Sequence, residues 1–186
     1  EVNRNSVKKI IRKNNTINKI LNATTNNYLL EIDTENFLIK FNCQKGLAIE
    51  SYFDKKNQLK VFGTLKHGFF EDIDLAADFY SGHFIFQTPG QRQITDLNLV
   101  KPKIIRNKKG LIVSSILDLE IGILQKEWIF DEKQSGFCLN IKFNSRNKLF
   151  GIARIVPITI FKEAFNTKNL KISTNNGSYD QESYFL

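Results

Sequence analysis

The stretch "LIVSSILDLEIGILQKEWIFDEKQSGFCLNIKF", residues 111–143, decides the fold class. In its last segment Phe137, Leu139, Ile141 and Phe143 alternate with Cys138, Asn140 and Lys142. Successive side chains of a strand point to opposite faces, so this period of two marks a strand with one apolar face. "LIVSSILDLEI" (Leu111–Ile121) and "LQKEWIFD" (Leu124–Asp131) are two further strands, and "EKQSG" (Glu132–Gly136) is the polar turn before the last. Long strands joined by short polar turns, without helical segments between them, predict an antiparallel sandwich rather than a parallel sheet.

The same pattern extends in both directions. In "NFLIKFN" (Asn36–Asn42), Phe37, Ile39 and Phe41 oppose Leu38 and Lys40. "GLAIESYF" (Gly46–Phe53) follows after a short connection ending in Gly46, which predicts a hairpin, and "DKKN" (Asp54–Asn57) is the next turn. "KIIR" (Lys103–Arg106) and "GIARIVPITIF" (Gly151–Phe161) are read as strands, and "STNNGSYDQES" (Ser173–Ser183) as a loop. Residues 6–21 place Val7, Ile10, Ile11, Ile17 and Leu21 near a 3.6-residue period, which predicts a short amphipathic helix. "NATTNN" (Asn22–Asn27) breaks it. The predicted organisation is a basic helical arm and linker over 1–27 and a β-domain over 28–186. The chain opens on Glu1, holds no Met and stops on "SYFL", which suggests a piece of a longer polypeptide.

The net charge of +8 is uneven. Arg4, Lys8, Lys9, Arg12, Lys13 and Lys19 face only Glu1 within residues 1–19, so more than half of the excess sits on the arm. A basic arm on a near-neutral body is weaker evidence for a nucleic-acid partner than a basic face would be, although the arm and "KPKIIRNKK" (Lys101–Lys109) keep a basic binding module open as an alternative. No apolar run approaches the ~20 residues of a membrane helix, and no signal peptide opens the chain. Cys43 and Cys138 lie far apart with no metal spacing, so reduced thiols and a cytoplasmic setting are expected.

The densest chemistry lies in "TLKHGFFEDIDLAADFYSGHFIFQTPG", Thr64–Gly90, which holds both histidines and Glu71, Asp72, Asp74 and Asp78. Paired carboxylates can cleave a glycosidic bond when they flank it, but this spacing selects no pair. His67 and His83 lack H-x-x-x-H or H-E-x-x-H spacing, and no calcium loop or nucleophile elbow occurs, so neither metal nor cofactor is expected. Sugar recognition fits better. Aromatic faces cover sugar C–H surfaces while carboxylates, amides and Arg bind hydroxyls. Asp72, Asp78, Tyr80, His83, Gln87, Arg92 and Trp128 have those side chains. In "GHFIFQT", Phe84 and Phe86 form one face; His83, Ile85 and Gln87 form the other, which meets a ligand if it lines a concave sheet. The ordinary structural account makes Phe84 and Phe86 core and His83 a hydrogen-bonded surface residue.

At these residues a family resemblance appears. His67-Gly68 with Glu71-Asp72, Ala77–His83, and Pro89-Gly90 with Ile94-Thr95-Asp96 resemble motifs in the β-rich region after the catalytic barrel of family 57 glycoside hydrolases and related α-mannosidase-like enzymes. "FLIKFNCQKGLAIESYFDK" is similar to the opening hairpin of such domains. The resemblance covers roughly residues 28–145. It implies a galactose-mutarotase-like β-supersandwich, a non-catalytic accessory domain contacting an α-glucan or mannoside. It also implies catalytic carboxylates in an upstream barrel of the same polypeptide. The alternative is a stand-alone aldose-epimerase-like enzyme, with His67 or His83 as acid and Glu71 or Asp72 as base. The usual histidine motifs of such epimerases are absent around both histidines.

Overall fold

A computed structural model describes residues 22–26, 28–65, 80–107, 110–131, 136–165, 171–174 and 182–185. The helix predicted over residues 6–21 of the arm lies outside them. The described chain is all-β and its strand pairs are antiparallel. A six-stranded sheet is built from β1 (Asn22–Asn26), β2 (Leu29–Asp33), β3 (Phe37–Asn42), β4 (Ala48–Asp54), β5 (Leu59–Gly63) and, at its far edge, β13 (Thr159–Ile160). A three-stranded sheet has β6 (Phe84–Gln87) between β7 (Ile94–Thr95) and β12 (Ile152–Ile155). A four-stranded sheet runs in the order β11, β10, β9, β8, from β8 (Lys103–Asn107), β9 (Gly110–Leu119), β10 (Gly122–Asp131) and β11 (Phe137–Ser145). A separate hairpin pairs β14 (Lys171–Thr174) with β15 (Glu182–Phe185).

The core lies between the six- and four-stranded sheets. Alternation puts Phe37, Ile39 and Phe41 of β3 on the inner face, and Leu124, Lys126, Trp128 and Phe130 of β10 opposite them. Aromatic rings interlock across the gap. Phe41 lies 4.9 Å from Trp128 and 6.2 Å from Phe130, and Phe37 lies 6.3 Å from Phe130. Such pairs each add about 0.5–1.5 kcal/mol beyond their burial. The apolar face of β11 is half-buried along the sheet edge, where Phe143 stacks on Phe84 of the three-stranded sheet at 5.4 Å.

Four sequence expectations are corrected. The "NATTNN" break is largely β1, which pairs along its whole length with β2 and packs Ala23 against the core. Tertiary pairing there overrides the weak strand propensity of Asn. The single strand expected over Gly151–Phe161 is two. At Val156, in a left-handed conformation (φ 58°), and Pro157, which has no N–H to donate, the chain leaves β12 and re-enters the six-stranded sheet as β13. The loop expected over Ser173–Ser183 ends in strand at both sides, as β14 and β15. The face of His83 and Ile85 on β6 is not open: His83, Phe84, Ile85 and Phe86 are all buried, because β6 is covered on both sides.

Both cysteines are free, as the sequence suggested. Cys43 is buried, and burial pushes its thiol above the ordinary value; Cys138 is exposed on the outer face of β11. In a native thiol titration Cys138 is expected to react at once and Cys43 only on unfolding. Two fast thiols would contradict this placement.

Candidate functional site

The chemistry of the described chain converges on a buried ammonium. Lys126 points inward from the middle of β10, and both it and Asp96 are 0% exposed. Its Nζ pairs with Asp96 Oδ2 and donates to Gly46 O at 3.0 Å and Gly82 O at 2.8 Å. An ammonium carries three N–H donors and no acceptor, and here it meets three acceptors. Burial draws the Lys126 ammonium down from its usual value, and the Asp96 carboxylate opposes that.

Each partner is placed by local backbone chemistry. Gly46 closes the 3-10 turn Cys43–Lys45 in a left-handed conformation (φ 61°). A Cβ there would lie 2.0 Å from the backbone oxygen of Asp96, so glycine is required by both backbone and space. Gly82 is also left-handed (φ 79°), and a Cβ there would come within 2.9 Å of the Trp128 ring. Asp96 follows β7; its Oδ1 accepts from Phe84 N at 2.9 Å. Lys126 therefore ties the turn before β4, the segment before β6 and the residue after β7 to the central β10 strand.

The segment Tyr80–Phe84 is bonded on every side. Ile49 N donates to Ser81 O at 2.7 Å, Gly82 N to Pro157 O at 2.9 Å, and Val156 N to His83 O at 3.0 Å. The Ser81 hydroxyl donates to Gly63 O and accepts from Thr159 N at 2.8 Å. His83 Nδ1 meets the Tyr80 carbonyl oxygen. A carbonyl only accepts, so Nδ1 carries the proton. Burial, and secondarily the charge of Glu50, push the Tyr80 phenol above its ordinary value, so it is no base at neutral pH.

The sequence-predicted sugar contacts that are described, Tyr80, His83, Gln87, Arg92 and Trp128, do not share one exposed surface. His67, Glu71, Asp72 and Asp78 lie outside the described residues. Tyr80 and His83 are in the interior, their rings edge to face at 6.2 Å. Trp128 is 0% exposed, filling the core beside Phe41 and Phe137, so it offers no ring face to a sugar; that expectation is corrected. Gln87 is half-buried and accepts from Gln93, and Arg92 is exposed beyond it. His83 is fully buried, which also removes it from the reach of a substrate as an epimerase acid. Among the described residues no group of three His, Cys, Asp or Glu could hold a metal ion.

Lys126 was the residue the pattern reading passed over. Its signal was present: it falls in phase with Leu124, Trp128 and Phe130, where a strand of a sandwich points inward. A cation on that face needs a buried anion, and Asp96 ends the Ile94-Thr95-Asp96 motif. Compared with protein-family models, with curated proteins and with solved structures, the chain gives no match.

Proposed function

We propose that this chain is a non-catalytic accessory β-domain of a carbohydrate-active enzyme. In this reading it is a galactose-mutarotase-like supersandwich that docks on the catalytic barrel of its own polypeptide and contacts an α-glucan or mannoside. The observation that carries the docking half is a concentration of exposed apolar side chains on and beside two edge strands. Phe150 is 80% and Ile152 70% exposed, and Ile155, Ile158 and Ile160 are exposed too; Ile152 and Ile155 lie on β12, Ile160 on β13, and Phe150 and Ile158 just before them. Single exposed apolar residues are ordinary, but five within eleven residues of edge-strand chain are the kind of surface proteins cover. The motif resemblance supplies the enzyme class. The two free thiols suit the cytoplasm, and no helix among the described residues is long and apolar enough to cross a membrane.

The non-catalytic half is supported by the use of the polar groups. The buried cation, anion and histidine are all bonded within the protein. Of the candidate epimerase residues only His83 lies among the described ones, and its complete burial weighs against it as the acid. Sugar contact would fall to the exposed Arg92 and the half-buried Gln87, with Asp72 and Asp78 as further candidates by side-chain type. Calorimetric titration with α-glucan, mannoside and galactoside oligosaccharides is expected to give heat with the first two classes. That heat should be lost in Arg92→Ala combined with Gln87→Ala. Silence across all three classes would remove the sugar half and leave docking alone.

A further inference from the structure

We propose that Lys126 and Asp96 condense to an intramolecular amide, a covalent cross-link between β10 and the residue that follows β7. The observations are the direct Nζ–Oδ2 contact, the complete burial of both side chains and the fixed orientation of the carboxylate. Asp96 Oδ1 is held by Phe84 N, which leaves Oδ2 to meet the amine. Along β10 the neighbours on the same face are Leu124 and Trp128; across the sheet they are Ser115 of β9 and Ile141 of β11. The surroundings are therefore mostly apolar.

The step balances without an oxidant or co-reactant. The ammonium passes a proton to Oδ2, which leaves a neutral amine and a carboxylic acid. The nitrogen lone pair attacks Cγ, the N–C bond forms, and a second nitrogen proton moves to Oδ2. The Cγ–Oδ2 bond then breaks and Oδ2 leaves as water. One N–H stays on the amide for Gly46 O or Gly82 O, and Oδ1 keeps its bond from Phe84 N. Ser115 sits directly across from Lys126, and its buried hydroxyl has no hydrogen-bond partner among the described residues. It is placed on the same face to carry that second proton.

Two physical terms favour closure. Burying an ion pair carries a desolvation cost that its attraction only partly offsets, and a neutral amide removes both charges. Groups held in contact by a folded frame react as if at about 10⁵–10⁸ M, which offsets the cost of amide formation in water.

The intact mass of the full chain, unfolded in denaturant, tests this. It is expected to fall short of the sequence mass by one water. Tryptic digestion should give one branched peptide joining Gln93–Lys103 to Gly110–Lys133, uncut at Lys126. Asp96→Asn should close with loss of ammonia instead, and Lys126→Arg should show its full mass. A wild-type chain at full sequence mass, cleavage after Lys126, or a water loss mapped elsewhere would overturn the proposal. The wild-type map decides even if a variant does not fold.

Discussion

Lys126→Met is expected to destabilise the fold by about 3–5 kcal/mol, read from the midpoint of urea unfolding. Methionine fills much of the same volume, so the loss is not a cavity. It comes from Asp96, left as a buried anion with Phe84 N as its one donor among the described residues, and from the carbonyls of Gly46 and Gly82, which lose their shared donor. A domain of this size has about 5–15 kcal/mol in total, so the single change threatens folding at physiological temperature. The combined variant Lys126→Met with Asp96→Val removes both charges and should recover much of the loss. A Lys126→Met protein as stable as wild type would show that the tie contributes little.

Trp128→Ala is expected to cost a similar amount, about 3–5 kcal/mol, from lost burial and the cavity left behind. The ring contacts Phe41 and Phe137 and lies against Gly82, so its removal opens the space where the two large sheets and the Tyr80–Phe84 segment meet. Trp128→Phe should cost much less, because it keeps most of the surface and drops an indole N–H that has no partner among the described residues. The sugar-platform expectation made the opposite prediction: Trp128→Ala would weaken binding and leave the melting temperature unchanged. Thermal unfolding of the two variants separates the readings.

The strands of the core were legible because period-two alternation reports a half-buried face directly. Phe37–Phe41 and Phe137–Phe143 fell where their patterns put them. The pattern failed where pairing is decided by distant chain. Asn22–Asn26 is a strand only because β2 lies beside it, and Gly151–Phe161 divides because Pro157 hands the chain from one sheet to another. Composition located the chemistry of Thr64–Gly90 but not its direction. Tyr80 and His83 look like ligand-contact residues by type, and neither type nor spacing says that β6 is covered on both faces. The Lys126–Asp96 pair was hidden for another reason. Its partners are close only in space, and a lone Lys in a strand ordinarily reads as solvated.

The tie also bears on the order of folding. The donor on Lys126 and its acceptor at Gly46 are separated by 80 residues, and the acceptor at Gly82 by 44. Closing such loops costs chain entropy before any contact rewards it, whereas β9, β10 and β11 are neighbouring hairpins. The meander is therefore expected to form first, as a local unit, which pulsed hydrogen exchange during refolding would show as early protection of β9, β10 and β11. The ammonium finds its acceptors only when the turn before β4 and the segment before β6 arrive, so the tie registers that the two halves of the chain have met correctly.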